Sequence, residues 1–277
     1  VASPQTKGLP FGVTVSAVDS TGALVSVFNG ATDLSGFIPF EASIGAGTGD
    51  WVYPLATWYH DARTQVIYLQ SELGVAGRIT SLSLDVNQTP GQPLENWTLR
   101  LKHTPLGSYA TAAWEGSGWT TVCQNDAAVS STGWATFVFD TPFDYNGADN
   151  LMVDFSFNNT SYTSDGRCRY SQPGGTRTLY YRTDSNYGDP LLWSGTGNPT
   201  PSTTTNVPNV RLNIDQEVAI SPTVTGNFTG GVWTGDVTVL EAATGMYLNA
   251  DDGAGSFGDS NDFDVVADTV PPDAQCQ

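Results

Sequence analysis

Apolar and polar residues alternate with a period of two over much of this chain, the pattern of half-buried strands separated by turns. Near the start, Phe11, Val13, Val15 and Ala17 alternate with small or polar residues. Asp19-Ser20-Thr21-Gly22 then supplies a turn and 23–28 reads as a returning strand, which predicts a hairpin. Toward the other end, 232–240 alternates through Val232, Thr234, Val237 and Val239, and 245–250 and 263–266 read as two further strands. The two ends together approach the number of strands that an Ig-like sandwich needs. Between them lies a block richer in aromatic residues, with strands predicted over 66–70, 79–86, 97–103, 135–139, 151–157, 178–182 and 210–214. Their spacing and turn chemistry suit a jelly roll. The Pro-Thr-Pro-Ser-Thr-Thr-Thr run over 199–205 reads as an exposed loop. The expectation is therefore an all-β chain of two β-sandwiches. A jelly roll over 42–214 is inserted into an Ig-like domain made of 1–41 and 215–270, with 271–277 as a linker or tail.

Particular stretches carry a resemblance. Residues 3–19, from Ser3-Pro4-Gln5-Thr6 to Ser16-Ala17-Val18-Asp19, resemble the opening of Ig-like repeats in large secreted bacterial proteins, notably of planctomycetes. Residues 225–239, around Gly230-Gly231-Val232-Trp233, resemble the second half of the same repeat, and Asp268-Thr269-Val270-Pro271-Pro272 is similar to the linkers that join such repeats. In the central block, 60–68, Ser71-Glu72-Leu73-Gly74, Leu101-Lys102-His103-Thr104 and 141–151 are similar to jelly-roll modules of secreted adhesin-like proteins. The resemblance implies display, adhesion or assembly at a cell surface and offers no catalytic residue to carry over.

Composition agrees with strands and turns: 39% of the 277 residues are hydrophobic, only 14% are charged, and there are 30 glycines. With 28 acidic against 10 basic side chains the formal charge is −18, which repels phosphate backbones and anionic headgroups. Nucleic acid and membrane insertion are thereby unfavoured, and the expected location is secreted or on the cell surface. A chain that starts at Val1 reads as a processed or excised segment. In an oxidising compartment Cys123 and Cys168 are expected to pair, leaving Cys276 over.

Two histidines, His60 and His103, leave little room for a metal site or a triad, and there is no Gly-x-Ser-x-Gly turn. No two glutamates stand at the alternate spacing that a jelly-roll glycosidase needs, so the reading is non-catalytic. Asp61 beside His60 reads as a polar pair with Arg63 as its ion-pair partner. Two other chemistries remain open. Asp251, Asp252, Asp259 and Asp262 lie in turns that a hairpin brings together, an oxygen-rich setting for structural calcium or simply solvated turns. Trp51, Trp58, Trp114, Tyr187 and Trp193 lie in Gly-, Ser- or Pro-bounded stretches and are candidates for stacking on the apolar faces of a polysaccharide. Against that stands assembly without a sugar, with copies of the same chain or neighbouring surface-protein domains as partners in a filament or fibre.

Overall fold

The computed structural model describes residues 1–268. Almost every ordered element is a strand, and the chain divides into two compact units: Val1–Pro39 with the segment from Asp215 onward, and Phe40–Ile214. The strands in chain order are β1 (Gln5–Thr6), β2 (Phe11–Ser16) and β3 (Asp33–Ile44), the last running from the split unit into the central one. The central unit continues with β4 (Gly49–Trp51), β5 (Asp61–Tyr68), the single helical turn α1 (Gln70–Leu73), β6 (Gly77–Gln88) and β7 (Leu94–Thr104). Then come β8 (Thr120–Ala127), β9 (Gly133–Tyr145), β10 (Asn150–Asn158), β11 (Arg167–Ser171) and β12 (Thr178–Thr183). A 3-10 turn (Pro190–Leu192), β13 (Ser202–Thr204), β14 (Val207–Pro208) and β15 (Val210–Val218) return the chain. The split unit closes with β16 (Ile220–Ser221), β17 (Val232–Val239), β18 (Ala243–Asp251), β19 (Phe257–Asp259) and β20 (Phe263–Val266).

The central unit is a sandwich. One layer is six-stranded, in the order β13-β12-β5-β10-β7-β8. In the other, β6 pairs along its length with β9, and β11 joins its far end and carries β4 and β14. Inward residues of both layers, among them Leu82, Leu84, Trp97, Leu99, Phe155 and Leu212, form the main core. In the split unit, β16-β17-β2 packs over β18, β20 and the first half of β3, with Val237, Val239, Met246, Leu248 and Phe263 in the middle. Gly36 on β3 permits this closeness: a Cβ there would lie 2.8 Å from Ile220 Cγ2 and 3.0 Å from the Val218 carbonyl.

The expected N-terminal hairpin does not form. Only a single bridge, Val18 to Leu24, follows the turn, and 23–28 is not a strand. The turn itself is sound, since the Asp19 carboxylate accepts from the N–H groups of Thr21 and Ala23. Backbone bonds from Asp19 N–H to the Ala23 carbonyl and from Val25 N–H to the Ala17 carbonyl start the return, but the strand that pairs with β2 along its whole length is β17, from Phe11–Val237 to Ser16–Val232.

Candidate functional site

At one end of the six-stranded layer the register places Asp61, the first residue of β5, opposite Asn158 at the end of β10 and Thr183 at the end of β12. The loops 52–60, 159–166 and 184–189 therefore leave the sheet side by side. Backbone bonds zip the first two together, Thr163 N–H to the Thr57 carbonyl at 2.8 Å and Gly166 N–H to the Leu55 carbonyl at 2.9 Å. Asp165 then anchors both: it accepts from the Trp58 N–H at 2.9 Å and takes the Arg182 guanidinium at 2.9 and 3.0 Å. Arg182 lies in turn over the Tyr59 ring, 4.6 Å from its centroid. The third loop is tied in through Asp184, whose carboxylate accepts from the His60 N–H at 2.9 Å and stands 3.8 Å from His60 Nε2.

This bracing presents three aromatic side chains to solvent: Trp58 (57% exposed), Tyr162 (61%) and Tyr187 (46%). The Tyr162 ring is stacked on His60, with centroids 5.9 Å apart and planes 19° from parallel. At this end of the layer Asp61 is buried, and among the described residues its Oδ1 has no hydrogen-bond partner. Burial pushes its carboxyl up from 3.8 to about 6; His60 opposes the rise, and Asp184 and Asp189 add to it.

Asp61 thus gives a stability dependence with a definite sign. The unfolded chain loses this proton near pH 3.8 and the folded one near 6, so the folded state binds more protons between them and stability falls as pH rises across that window. The expected loss from this group is roughly 2–3 kcal/mol between pH 4 and pH 7. Urea unfolding at successive pH values should show that fall in the native chain and a flatter profile, by the same amount, in Asp61→Asn. Parallel profiles would remove Asp61 as the cause.

The sequence candidates divide sharply. Trp58 and Tyr187 are on this exposed face. Trp51 is half-buried, packed against Tyr53 and Tyr180 with centroids 5.0 and 5.2 Å away. Trp114 and Trp193 are not platforms at all: they are 8% and 2% exposed and share a second core with Ile67, Tyr109, Met152 and Leu179. Their loops lie on the outer face of the six-stranded layer as a roof, and Trp114 donates its indole N–H to the Pro199 carbonyl at 2.9 Å. Tyr162, which residue reading passed over, is the lone aromatic in the polar loop 159–166.

The expected cysteine pairing changes as well. Cys123 and Cys168 are both buried free thiols, on β8 and β11 in opposite layers, so the expected disulfide is absent. Burial raises both thiols' pKa, which suits apolar packing in the core and slows oxidation. Cys276 lies outside the described residues. The β18–β19 hairpin forms, yet its carboxylates serve the turn. Asp251 accepts from Gly253 N–H, Asp252 from Ala254 and Ser256 N–H, and Asp259 from the Asn249 amide. Asp262 is not drawn into them, and among the described residues no three His, Cys, Asp or Glu side chains come together as a metal site. No helix among those residues is long and apolar enough to cross a membrane. Compared with known proteins, the chain matches no protein-family model and no curated sequence.

Proposed function

We propose that this chain is a non-catalytic adhesive module of an extracellular bacterial surface protein, an Ig-like unit carrying an inserted jelly roll. We propose further that the loop end of the central unit takes a carbohydrate. The observation that carries the reading is the exposure of Trp58, Tyr162 and Tyr187 on three braced loops that leave the same end of the six-stranded layer, while Trp114 and Trp193 are consumed by packing. Three exposed rings on braced loops offer apolar planes at little ordering cost, and Asp184 and His60 supply partners for hydroxyl groups. The resemblance to adhesin-like modules points the same way.

One observation favours a hydrolase instead: burial beside His60 raises the Asp61 carboxyl to about 6, so that part of it stays protonated as a general acid requires. The same experiment separates the two. The intact chain is applied to an array of bacterial and algal polysaccharides, and the hits are titrated calorimetrically with the native chain and with Trp58→Ala and Tyr162→Ala. Binding weakened at least tenfold by each substitution, with no reducing ends released, is the expected result. Release of reducing ends that Asp61→Asn abolishes would replace adhesion by hydrolysis. No retained glycan, or binding indifferent to both substitutions, would end the carbohydrate reading.

A further inference from the structure

Independently of the glycan face, the split unit carries a groove of about 380 Å3, lined by Val13, Val15, Val25, Phe28, Leu34 and Leu248 among others. Two features distinguish it from a gap in packing. First, β2 ends its sheet: among the described residues β17 is the only strand it pairs with, so its second edge presents unpaired N–H and C=O groups beside the groove. Second, the groove opens between exposed apolar side chains, Val18 and Phe257 at its wall, with Leu24 and Val27 in the loop that follows β2.

Charge says what fits there. Lys7 is the only basic side chain in 1–39 and 215–277, against thirteen acidic ones. It sits beyond the start of β2, its N–H bonded to Val266, whereas the groove is at the other end, beside Ser16, Val18 and Asn249. Asp252 and Asp259 line the groove and Asp19 follows Val18. The hydrogen bonds that Asp19 and Asp252 accept in their turns hold both below the ordinary carboxylate range, so these charges persist in mild acid. A second copy of the chain, at a net charge of −18, would bring like charge to this mouth.

We infer that the groove accepts an extended, cationic segment of another protein. That segment adds as a strand to the free edge of β2, places alternate apolar side chains in the groove and directs its Lys or Arg residues to Asp252, Asp259 and Asp19. Six residues in the segment would match the length of β2.

The test uses the full chain and a fluorescein-labelled nine-residue peptide in which valine alternates with lysine, with a control in which glutamate replaces lysine. Anisotropy should show binding of the cationic peptide that weakens steeply with salt, and at least tenfold weaker binding of the acidic one. Val25→Lys, placed in a loop that lines the groove, should weaken it tenfold or more. Asp252→Asn with Asp259→Asn keeps the turn geometry and should flatten the salt dependence. Hydrogen exchange should slow selectively at the Gly12, Thr14 and Ser16 amides, which the alternation of an antiparallel pair turns to the free edge, a readout that does not depend on any variant folding. Binding with no protection of those amides would mark mere adhesion to an acidic surface and overturn the inference. So would absence of binding, or a dimer in sedimentation that Val25→Lys dissolves.

Discussion

Asp154→Ala is expected to destabilise the central unit by about 3–5 kcal/mol, the range for removing one partner of a buried ion pair. Asp154 is completely buried on β10 between two arginines. Arg63, 1% exposed, donates to it through Nε at 3.1 Å and Nη2 at 3.0 Å, and Arg100 donates through Nε at 3.1 Å with a further contact from Nη2. Arg63 also reaches past the sheet: its Nη1 bonds the carbonyls of Pro190 at 3.2 Å and Trp193 at 2.9 Å, and its guanidinium lies 4.7 Å from the centre of the Trp114 ring. Without the carboxylate, Arg63 keeps its carbonyl acceptors but loses its counter-charge inside the protein. Replacing Arg63 and Asp154 together by methionine and leucine should recover only part of the loss, because the Pro190 and Trp193 carbonyls would then lose their donor. Urea unfolding followed by near-ultraviolet circular dichroism measures both. A loss under 1 kcal/mol for Asp154→Ala would mean that water reaches these groups and that the roof is loosely attached.

The same roof explains where the sequence could and could not be read. Period-two alternation works where one face of a strand meets the core and the other meets water, and β2, β17 and β18 were found on that basis. It misleads on β5, Asp-Ala-Arg-Thr-Gln-Val-Ile-Tyr, in which Arg63 and Gln65 have the chemistry of a solvent face. All eight residues are buried, because the face bearing Arg63 and Gln65 is covered by loops: Gln65 exchanges hydrogen bonds with the Glu115 backbone at 3.0 Å each way. The misplacement of Trp114 and Trp193 is the same error seen from the loop. Gly and Ser around a tryptophan signal irregular backbone, and irregular backbone here is the second wall of a core. β3 was missed for another reason. It contains Gly36 and Pro39, residue types that weaken a strand pattern, and Gly36 is there because a neighbouring strand leaves no room for a side chain. The exposed face was half legible: Trp58 and Tyr187 stood out as aromatics in turns, but Tyr162 joins them only through a register that pairs distant strands.

Trp193→Ala tests the roof most directly, with an expected cost of about 3–5 kcal/mol. The indole packs edge-on to Tyr181, centroids 5.9 Å apart and planes at 85°, and lies 6.3 Å from Trp114. Removing it empties space above Met152 and Leu179 and admits water to Arg63, so the transfer and cavity costs add to a weakened ion pair. Among the described residues the indole N–H has no acceptor, so Trp193→Phe gives up packing but no hydrogen bond and should cost less than half as much. Trp58→Ala is the counterpart: with more than half its surface in water it should change stability by under about 1 kcal/mol, while the proposed glycan binding is expected to weaken at least tenfold. Hydrogen exchange adds a spatial readout, since loss of the roof should speed exchange in β5 and β10 and leave β17 and β18 of the split unit unchanged. If Trp193→Ala unfolds within 1 kcal/mol of the native chain, the loops are a detachable cover. The outer face of the six-stranded layer, with Tyr181, Arg63 and Gln65 on it, would then be a second surface open to ligands.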